Sequence, residues 1–233
     1  MREKVGKYLE AVRDKSPGEI LDWALSTFGS GRFILSSSLS LEDQALTDML
    51  LKREPAARIL MLDTGRHFQE TYDVIDATMK RYGMRYEILF PDTAEVEAML
   101  REKGANLFYE SVENRKRCCD VRKVRPLWRA LSTVDAWITG QRASQAVTRT
   151  QLAPVEWDGK FGIVKINPLW NWSTRETWLY VKRNGVPFNA LFEKGFSSIG
   201  CAPCTRAVGE GDDERAGRWW WESPEKKECG LHA

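Results

Sequence analysis

Five cysteines carry most of the chemical information in this 233-residue chain. Cys118 and Cys119 are adjacent, Cys201 and Cys204 form a Cys-x-x-Cys, and Cys229 stands alone in Glu-Cys-Gly-Leu-His. Four thiolates are the ligand count of a cubane iron–sulfur cluster or a structural zinc. Two pairs well separated in sequence suggest one shared metal. Zinc ribbons use two Cys-x-x-Cys knuckles, each pointing both thiolates at one tetrahedral ion, and an adjacent Cys-Cys fits that poorly. A cubane spreads its ligands over separate irons, so neighbouring thiolates can bind different ones. The cluster is therefore the favoured reading, with zinc left open. Basic residues crowd the first pair: Arg115-Lys116-Arg117 before it, Arg122-Lys123 and Arg125 after it. Lys123 in particular would offset the anionic charge of a ligated cluster.

Cys229 lies outside the set of four. Gly230 beside it gives the tail freedom to swing. Arg215, Arg218 and His232 are placed to lower its pKa when the tail folds over an anionic ligand. The reading is a mobile nucleophile, against the plain alternative of an exposed thiol with no task. Together the two sets suggest a redox enzyme with a metal centre and a separate thiol for covalent chemistry.

These residues need a scaffold, and the chain shows one. The first ~30 residues read as helical, with Ser16-Pro17 as N-cap and first helical residue and Gly29 as a stop. Arg32-Phe-Ile-Leu-Ser-Ser, Arg58 to Asp63, Tyr86 to Phe90 and Ala136 to Thr139 read as buried strands. Leu41 to Arg53, His67 to Tyr82 and Thr93 to Lys103 read as helices. Alternating strands and helices predict a parallel sheet with right-handed crossovers, an α/β fold. From Ala207 onward the chain is rich in Gly, charge and Trp, and is expected to be an arm. The expected division is thus a reductase domain over 1–206 and an arm over 207–233.

Ligands of open parallel sheets sit beyond the carboxyl ends of the strands, and three segments fall there. Ser36-Ser-Ser-Leu-Ser-Leu-Glu-Asp43 leads into a helix N-terminus, so Ser36, Ser37 and Ser38 are candidates for holding a phosphate or sulfate. Their plain alternative is capping and turn formation. The loop lacks the pattern of an ordinary P-loop. Asp63-Thr-Gly-Arg-His67 offers Arg66 and is read as a nucleotide-binding or pocket-shaping loop. Gly140-Gln-Arg142 offers Arg142.

Composition bounds the rest. Apolar residues make up 42% of the chain and the net charge is only +2, so nothing global points to nucleic acid. No apolar run reaches membrane-spanning length, and the N-terminus lacks a secretory apolar region. A cytoplasmic protein is expected, in which thiols stay reduced and serve metal binding or catalysis.

Cys118-Cys-Asp-Val-Arg-Lys-Val-Arg-Pro126, Cys201-Ala-Pro-Cys204, Glu214-Arg-Ala-Gly-Arg-Trp-Trp-Trp221 and Glu228-Cys-Gly-Leu-His232 together resemble the assimilatory adenylyl-sulfate (APS) reductases. These are the cluster-bearing branch of the APS/PAPS reductase family. The resemblance covers nearly all of the chain from about residue 30. It implies an adenine nucleotide α-hydrolase-like sheet related to the pyrophosphatase-loop enzymes. It also implies reduction of APS to sulfite and AMP, with thioredoxin or a glutaredoxin-like protein as a separate reductant. By the same resemblance, Cys118, Cys119, Cys201 and Cys204 ligate one 4Fe–4S cluster per chain, and Cys229 attacks the sulfur of APS. Lys123, Arg149, Arg215 and Arg218 match positions used around the phosphosulfate, and Ser36 to Ser38 lie beside the substrate. Relatives self-associate, so a homo-oligomer is expected. The serine loop has Leu and Ser where many relatives have Gly or Ala. Three competing readings are dual APS/PAPS use, an ATP-dependent thiolation enzyme and a zinc-bound interaction module. The thiolation enzymes favour a Ser-Gly-Gly-x-Asp-Ser loop, which is absent here.

Overall fold

The structure, a computed structural model, describes residues 1–145, 151–209, 211–223, 227 and 230–231. The chain divides into two compact units. The first comprises Met1–Met61, Gln69–Glu87 and Leu131–Ala190; the second comprises Leu62–Phe68, Ile88–Ala130 and Leu191–Ala233. The second unit is thus gathered from three separate stretches of the chain. Among the described residues no helix is long and apolar enough to cross a membrane.

The first unit is built on apolar strand runs. β1 (Phe33–Ser37), β2 (Ile59–Leu62) and β4 (Ala136–Ile138) are near-continuous hydrophobic segments, as expected of strands covered on both faces. With β3 (Glu87–Leu89), β5 (Val155–Asp158) and β6 (Ile163–Ile166) they form one sheet in the order β3-β2-β1-β4-β6-β5. β1 pairs in parallel with both β2 and β4, and β4 with β6. β5 is the exception, pairing antiparallel with β6. The reason is local: Asp158 Oδ1 accepts from the amides of Lys160 and Phe161, closing a tight turn between the two strands. A turn that short allows only an antiparallel pair.

Helices α1 (Val5–Val12), α2 (Pro17–Phe28), α3 (Leu41–Leu51), α4 (Gln69–Tyr82) and α8 (Thr174–Arg183) complete this unit. α2 opens on the expected Ser16, which forms a capping box with Glu19. α3 is unusual, since every one of its residues is buried, including Glu42, Asp43, Gln44, Thr47 and Asp48. Buried polar groups are tolerated when hydrogen-bonded, and these are. Gln44 donates to Thr78 Oγ1 (2.7 Å) and to the Pro187 carbonyl (2.8 Å), and accepts from the Tyr86 hydroxyl. Asp48 accepts from Lys52, Tyr82 and Tyr180 at 2.6–2.8 Å.

The second unit contains α5 (Thr93–Lys103), α6 (Val112–Cys119), a π-helical turn (Asp120–Val124) and α7 (Arg125–Leu131). Its core gathers Met99, Leu107, Phe108, Val121, Trp219 and all four of the paired cysteines. Trp219 is 1% exposed. The stretch expected to be an arm thus contributes a core residue, which its Gly- and charge-rich composition conceals.

Asp43 generates a test of the first unit. Burial is the largest influence on its carboxyl and raises it to about 6, against the opposing bonds from Ser38. A folded-state pKa above the unfolded value gives stability that is complete below the unfolded pKa and lost as pH rises through the folded one. Wild type should therefore gain about 2 kcal/mol relative to Asp43→Asn between pH 7 and pH 4. Urea unfolding at both pH values checks this. A difference that stays flat with pH would show that Asp43 titrates as an ordinary surface carboxylate.

Candidate functional site

In the second unit, α6 explains how two cysteines and a cation come to share a cavity. Its sequence is strongly charged, yet it buries Arg115, Cys118 and Cys119. Spacings of three and four place these residues on one helical face. The π-helical turn comes next, closed by the Arg125 amide donating to the Asp120 carbonyl. Such turns shift the register of the residues beyond them and recur at functional sites. Here the shift leaves Arg122 buried and Lys123 half-buried just beyond the cysteines.

The second pair arrives on a 3₁₀ turn, Ala202–Cys204, entered from Cys201. The loop after β2 holds it: the Ala202 amide donates to the Arg66 carbonyl (2.8 Å), and Thr64 Oγ1 lies 3.2 Å from Cys201 Sγ. Arg122 Nη1 donates to the Thr64 carbonyl (2.6 Å). A short ribbon closes the other side. The Arg206 amide donates to Gly217 O, the Trp219 amide to Cys204 O, and Thr205 bridges Arg218. Two glycines make this possible. A Cβ at Gly217 would overlap the Arg206 carbonyl, and one at Gly200 would overlap the Arg218 guanidinium.

All four cysteines therefore line one cavity, with Arg66, Arg122, Lys123, Arg218 and Trp219 around them. Among the described residues no group of three or more acidic, His or Cys side chains is placed to hold a metal ion. Four thiols spread around one cavity fit a polynuclear cluster, whose metal atoms are themselves separated. Two buried donors fit it as well. Arg122 Nε and Trp219 Nε1 have no hydrogen-bond partner among the described residues, and sulfur atoms held by the cysteines would supply acceptors.

The electrostatics are uneven. Burial pushes the Cys201 thiol up, but Lys123, the Thr64 hydroxyl and Arg218 outweigh it and hold it below the ordinary range. Burial dominates for Cys118 and raises it despite Arg122 and Lys123. Burial and then the neighbouring Cys201 push Cys204 up to about 11. Lys123 is foremost among the groups that lower Cys201.

The other expected site residues divide. Arg218 is buried against Trp219 in the cavity wall, and Arg215 lies over the same ring while donating to the Lys227 carbonyl. Arg66 lines the cavity, but its guanidinium bonds Ala105 O and Asn106 and stacks on Phe108. The loop from Asp63 to His67, expected to bind a nucleotide or shape its pocket, engages the cysteines through Thr64 and Arg66. Arg149, Cys229 and His232 lie outside the described residues.

The first unit holds the serine loop. β1 and β4 are neighbours where the strand order reverses, and ligands bind outside the carboxyl ends of strands at such a point. Ser36 and Ser37 end β1, with Ser37 accepting from the Leu39 amide. Ser38 donates both its amide and its hydroxyl to Asp43 Oδ2, at 2.7 and 2.6 Å. The donors expected for an anion are thus met at Ser38 by the chain's own carboxylate. Leu39 adopts φ 61°, a left-handed conformation that is strained for a leucine. Arg142 has no exposed side-chain surface and donates to Glu42 (2.7 Å) and Ser144. It braces the end of β4 against α3 within this unit.

Residues 32–207 match the phosphoadenosine phosphosulfate reductase domain family. The chain belongs to this family. Among its relatives, the adenosine 5′-phosphosulfate reductase of Burkholderia cepacia is 48% identical over 216 residues, spanning 92% of this chain and 86% of that protein. That of Allochromatium vinosum is 47% identical over 199 residues, spanning 85% and 78%. The crystal structure of phosphoadenylyl-sulfate (PAPS) reductase from Candida auris, a phosphate complex, superimposes with a TM-score of 0.75 at 31% identity. It covers 89% of this chain and 98% of that one. Candida glabrata FMN adenylyltransferase, at 14% identity and TM-score 0.57, shares the fold alone, covering 90% of this chain and 69% of its own. The reductase family therefore has, in this chain, the adenine nucleotide α-hydrolase-like α/β fold expected of it.

Sequence reasoning passes over two residues at this site: Thr64, against Cys201, and Trp219 in the cavity wall. Thr64 sits in a motif with the marks of nucleotide binding, and Trp219 in a stretch with the composition of an arm. Gly217→Ala tests the ribbon that carries Trp219. Forcing a methyl into packed backbone costs enough to lower the melting midpoint by roughly 5 °C. Gly6→Ala, where nothing lies within 4 Å of the new methyl, should leave the midpoint unchanged or higher in the same thermal melts. Equal behaviour of the two variants would mean the ribbon is dispensable.

Proposed function

We propose that this chain catalyses the thioredoxin-dependent reduction of adenosine 5′-phosphosulfate to sulfite and AMP through an S-sulfocysteine on Cys229. The coarser statement stands on family membership: the chain is an oxidoreductase acting on a sulfur group, in sulfate assimilation. The observation that carries the finer reading is the single basic cavity lined by Cys118, Cys119, Cys201 and Cys204. That set accounts for four of the five cysteines and leaves Cys229 available for covalent chemistry. The four are also free thiols, which suits a reducing compartment such as the cytoplasm.

Cys118, Cys119, Cys201 and Cys204 would hold a 4Fe–4S cluster, with Lys123, Arg122 and Arg218 offsetting its negative charge. When bound, the cluster supplies a fixed, polarised centre around which these cations are organised. The covalent steps belong to the chain. The Cys229 thiolate attacks the sulfur of the substrate's sulfonyl group. The bond from that sulfur to the bridging phosphate oxygen breaks, and AMP leaves with the electron pair. Thiolate and substrate are both anionic, so cations must offset their repulsion as the leaving phosphate gains charge. Arg149, Arg215 and Arg218 are the proposed contributors. A thioredoxin thiolate then attacks Cys229 Sγ and releases sulfite. The resulting mixed disulfide is resolved by thioredoxin's second thiol, so that dithiol supplies the two electrons.

Incubating the enzyme with APS and no reductant should leave a sulfonate adduct on the peptide containing Cys229, read by mass spectrometry. Thioredoxin should remove it as sulfite. Cys229→Ser should bind APS and form no adduct. Turnover by that variant, or an adduct on another cysteine, would contradict the mechanism.

A further inference from the structure

The first turn of α3 holds a carboxylate that the mechanism above does not use. Asp43 is 4% exposed and reaches back beyond its own helix cap. Its Oδ2 accepts from the Ser38 amide at 2.7 Å and the Ser38 hydroxyl at 2.6 Å, the donors that an oxyanion at this loop would take. Its Oδ1 is turned to the end of β4, where a Cβ at Gly140 would lie 2.3 Å from it; only glycine lets the carboxylate in. Asp43 therefore sits at the junction of the two loops that follow β1 and β4, where the strand order reverses. Its ionisable neighbours do little to offset its charge. Glu42, beside it on α3, adds repulsion. Arg142 faces α3 from the end of β4, but Glu42 holds its guanidinium at 2.7 Å. Tyr86, packed on α3 through Gln44, is pushed up to about 12 by burial and stays neutral. β1 presents no ionisable side chain. Those that α2 and α8 bring to this helix, Asp22 and Tyr180, lie farther along it, against Arg53 and Asp48. Burial is thus the largest influence on Asp43, and the carboxyl is raised to about 6 against the pull of the Ser38 bonds.

We propose that Asp43 is a further binding residue of the nucleotide site, taking up a proton as the anionic substrate enters the serine loop and then serving it as a neutral hydrogen-bond donor. The proposal rests on reading the serine loop as a place where APS binds. As a carboxylate, Asp43 repels an anion and occupies the donors of Ser38. As an acid it still holds Ser38 through Oδ2 and offers a proton from Oδ1, on the side facing β4. A carboxylic acid kept neutral so that it can donate to a developing or bound anion is a known chemical solution. The charges favour the uptake. A negative charge within about 7 Å, in the effective dielectric of a protein, weakens the acid by a factor of roughly thirty. A carboxyl that is mostly ionised at pH 7 in the free protein becomes mostly protonated in the complex. The proton comes from solvent, because the phosphosulfate has no group that titrates near neutrality. Affinity for APS therefore falls as pH rises.

The test uses holoenzyme carrying Cys229→Ser, which halts the chemistry and leaves APS intact, with Asp43 present or replaced by Asn. Calorimetry of APS binding in buffers of different ionisation enthalpy counts the protons taken up. At pH 7 the enzyme with Asp43 should take up at least about half a proton per APS, and Asp43→Asn should take up fewer by that amount. Affinity should weaken about fivefold between pH 6.5 and pH 8 with Asp43 present, and change by less than about twofold in Asp43→Asn. An infrared difference spectrum gives a second reading that needs no variant at this position. Adding APS should bring up the C=O stretch of a protonated carboxyl, displaced in protein labelled with isotopic aspartate. If Asp43→Asn does not accumulate, that spectrum decides. APS binding with no proton taken up, equal uptake with and without Asp43, or no new carboxyl stretch would overturn the proposal and leave the reaction standing. An enzyme that does not bind APS at all would overturn the substrate reading and this proposal with it.

Discussion

Gathering four cysteine sulfurs into one low-dielectric cavity is the constraint on which the second unit depends. Thiolates that close repel one another, and burial alone already disfavours their charged forms. The raised positions of Cys118 and Cys204 show the problem, and the lowered position of Cys201 shows the solution in one place. Lys123, Arg122, Arg218 and Arg66 surround the sulfurs, and most of the local backbone geometry exists to bring them there. The π-helical turn admits Arg122 and Lys123 beside their own cysteines. Gly200 leaves room for Arg218, and Gly217 lets the ribbon that carries Arg218 lie against Arg206.

The first unit meets a related problem with the opposite sign. α3 buries two carboxylates in its first turn, where the helix dipole favours them. Glu42 is paired with Arg142 and Asp43 takes the donors of Ser38. A negatively charged ligand at this loop would meet carboxylates as well as helix amides. The left-handed Leu39 and the protonation behaviour of Asp43 both belong to that loop. Strain and a raised carboxyl pKa are features that concentrate where a structure is poised for a ligand.

Much of this is legible in the sequence because it is local. β2 and β4 are unbroken apolar runs and β1 opens on one. Ser16 and Gly29 bound α2 as expected. The parts that escape the sequence are those that depend on distant partners. Nothing near Glu222 announces its buried ion pair with Arg115, 107 residues away, and Trp219 sits in a stretch whose composition argues for solvent. Arg142 has the position of a ligand-binding residue because it lies beyond a strand end, but Glu42 claims it. Thr64 has charged neighbours that suggest a nucleotide, while its hydroxyl meets Cys201. Burial of charge is decided by three-dimensional pairing, which periodicity does not encode.

One iron–sulfur cluster in the four-thiol cavity is the central claim. The most direct measurement is iron and acid-labile sulfide on protein purified without oxygen, with a Mössbauer spectrum of the same sample. About four iron and four sulfide per chain are predicted, in a single cubane environment, with both lost in Cys201→Ser. Stoichiometric zinc in place of iron, or a full complement of iron in that variant, would contradict it.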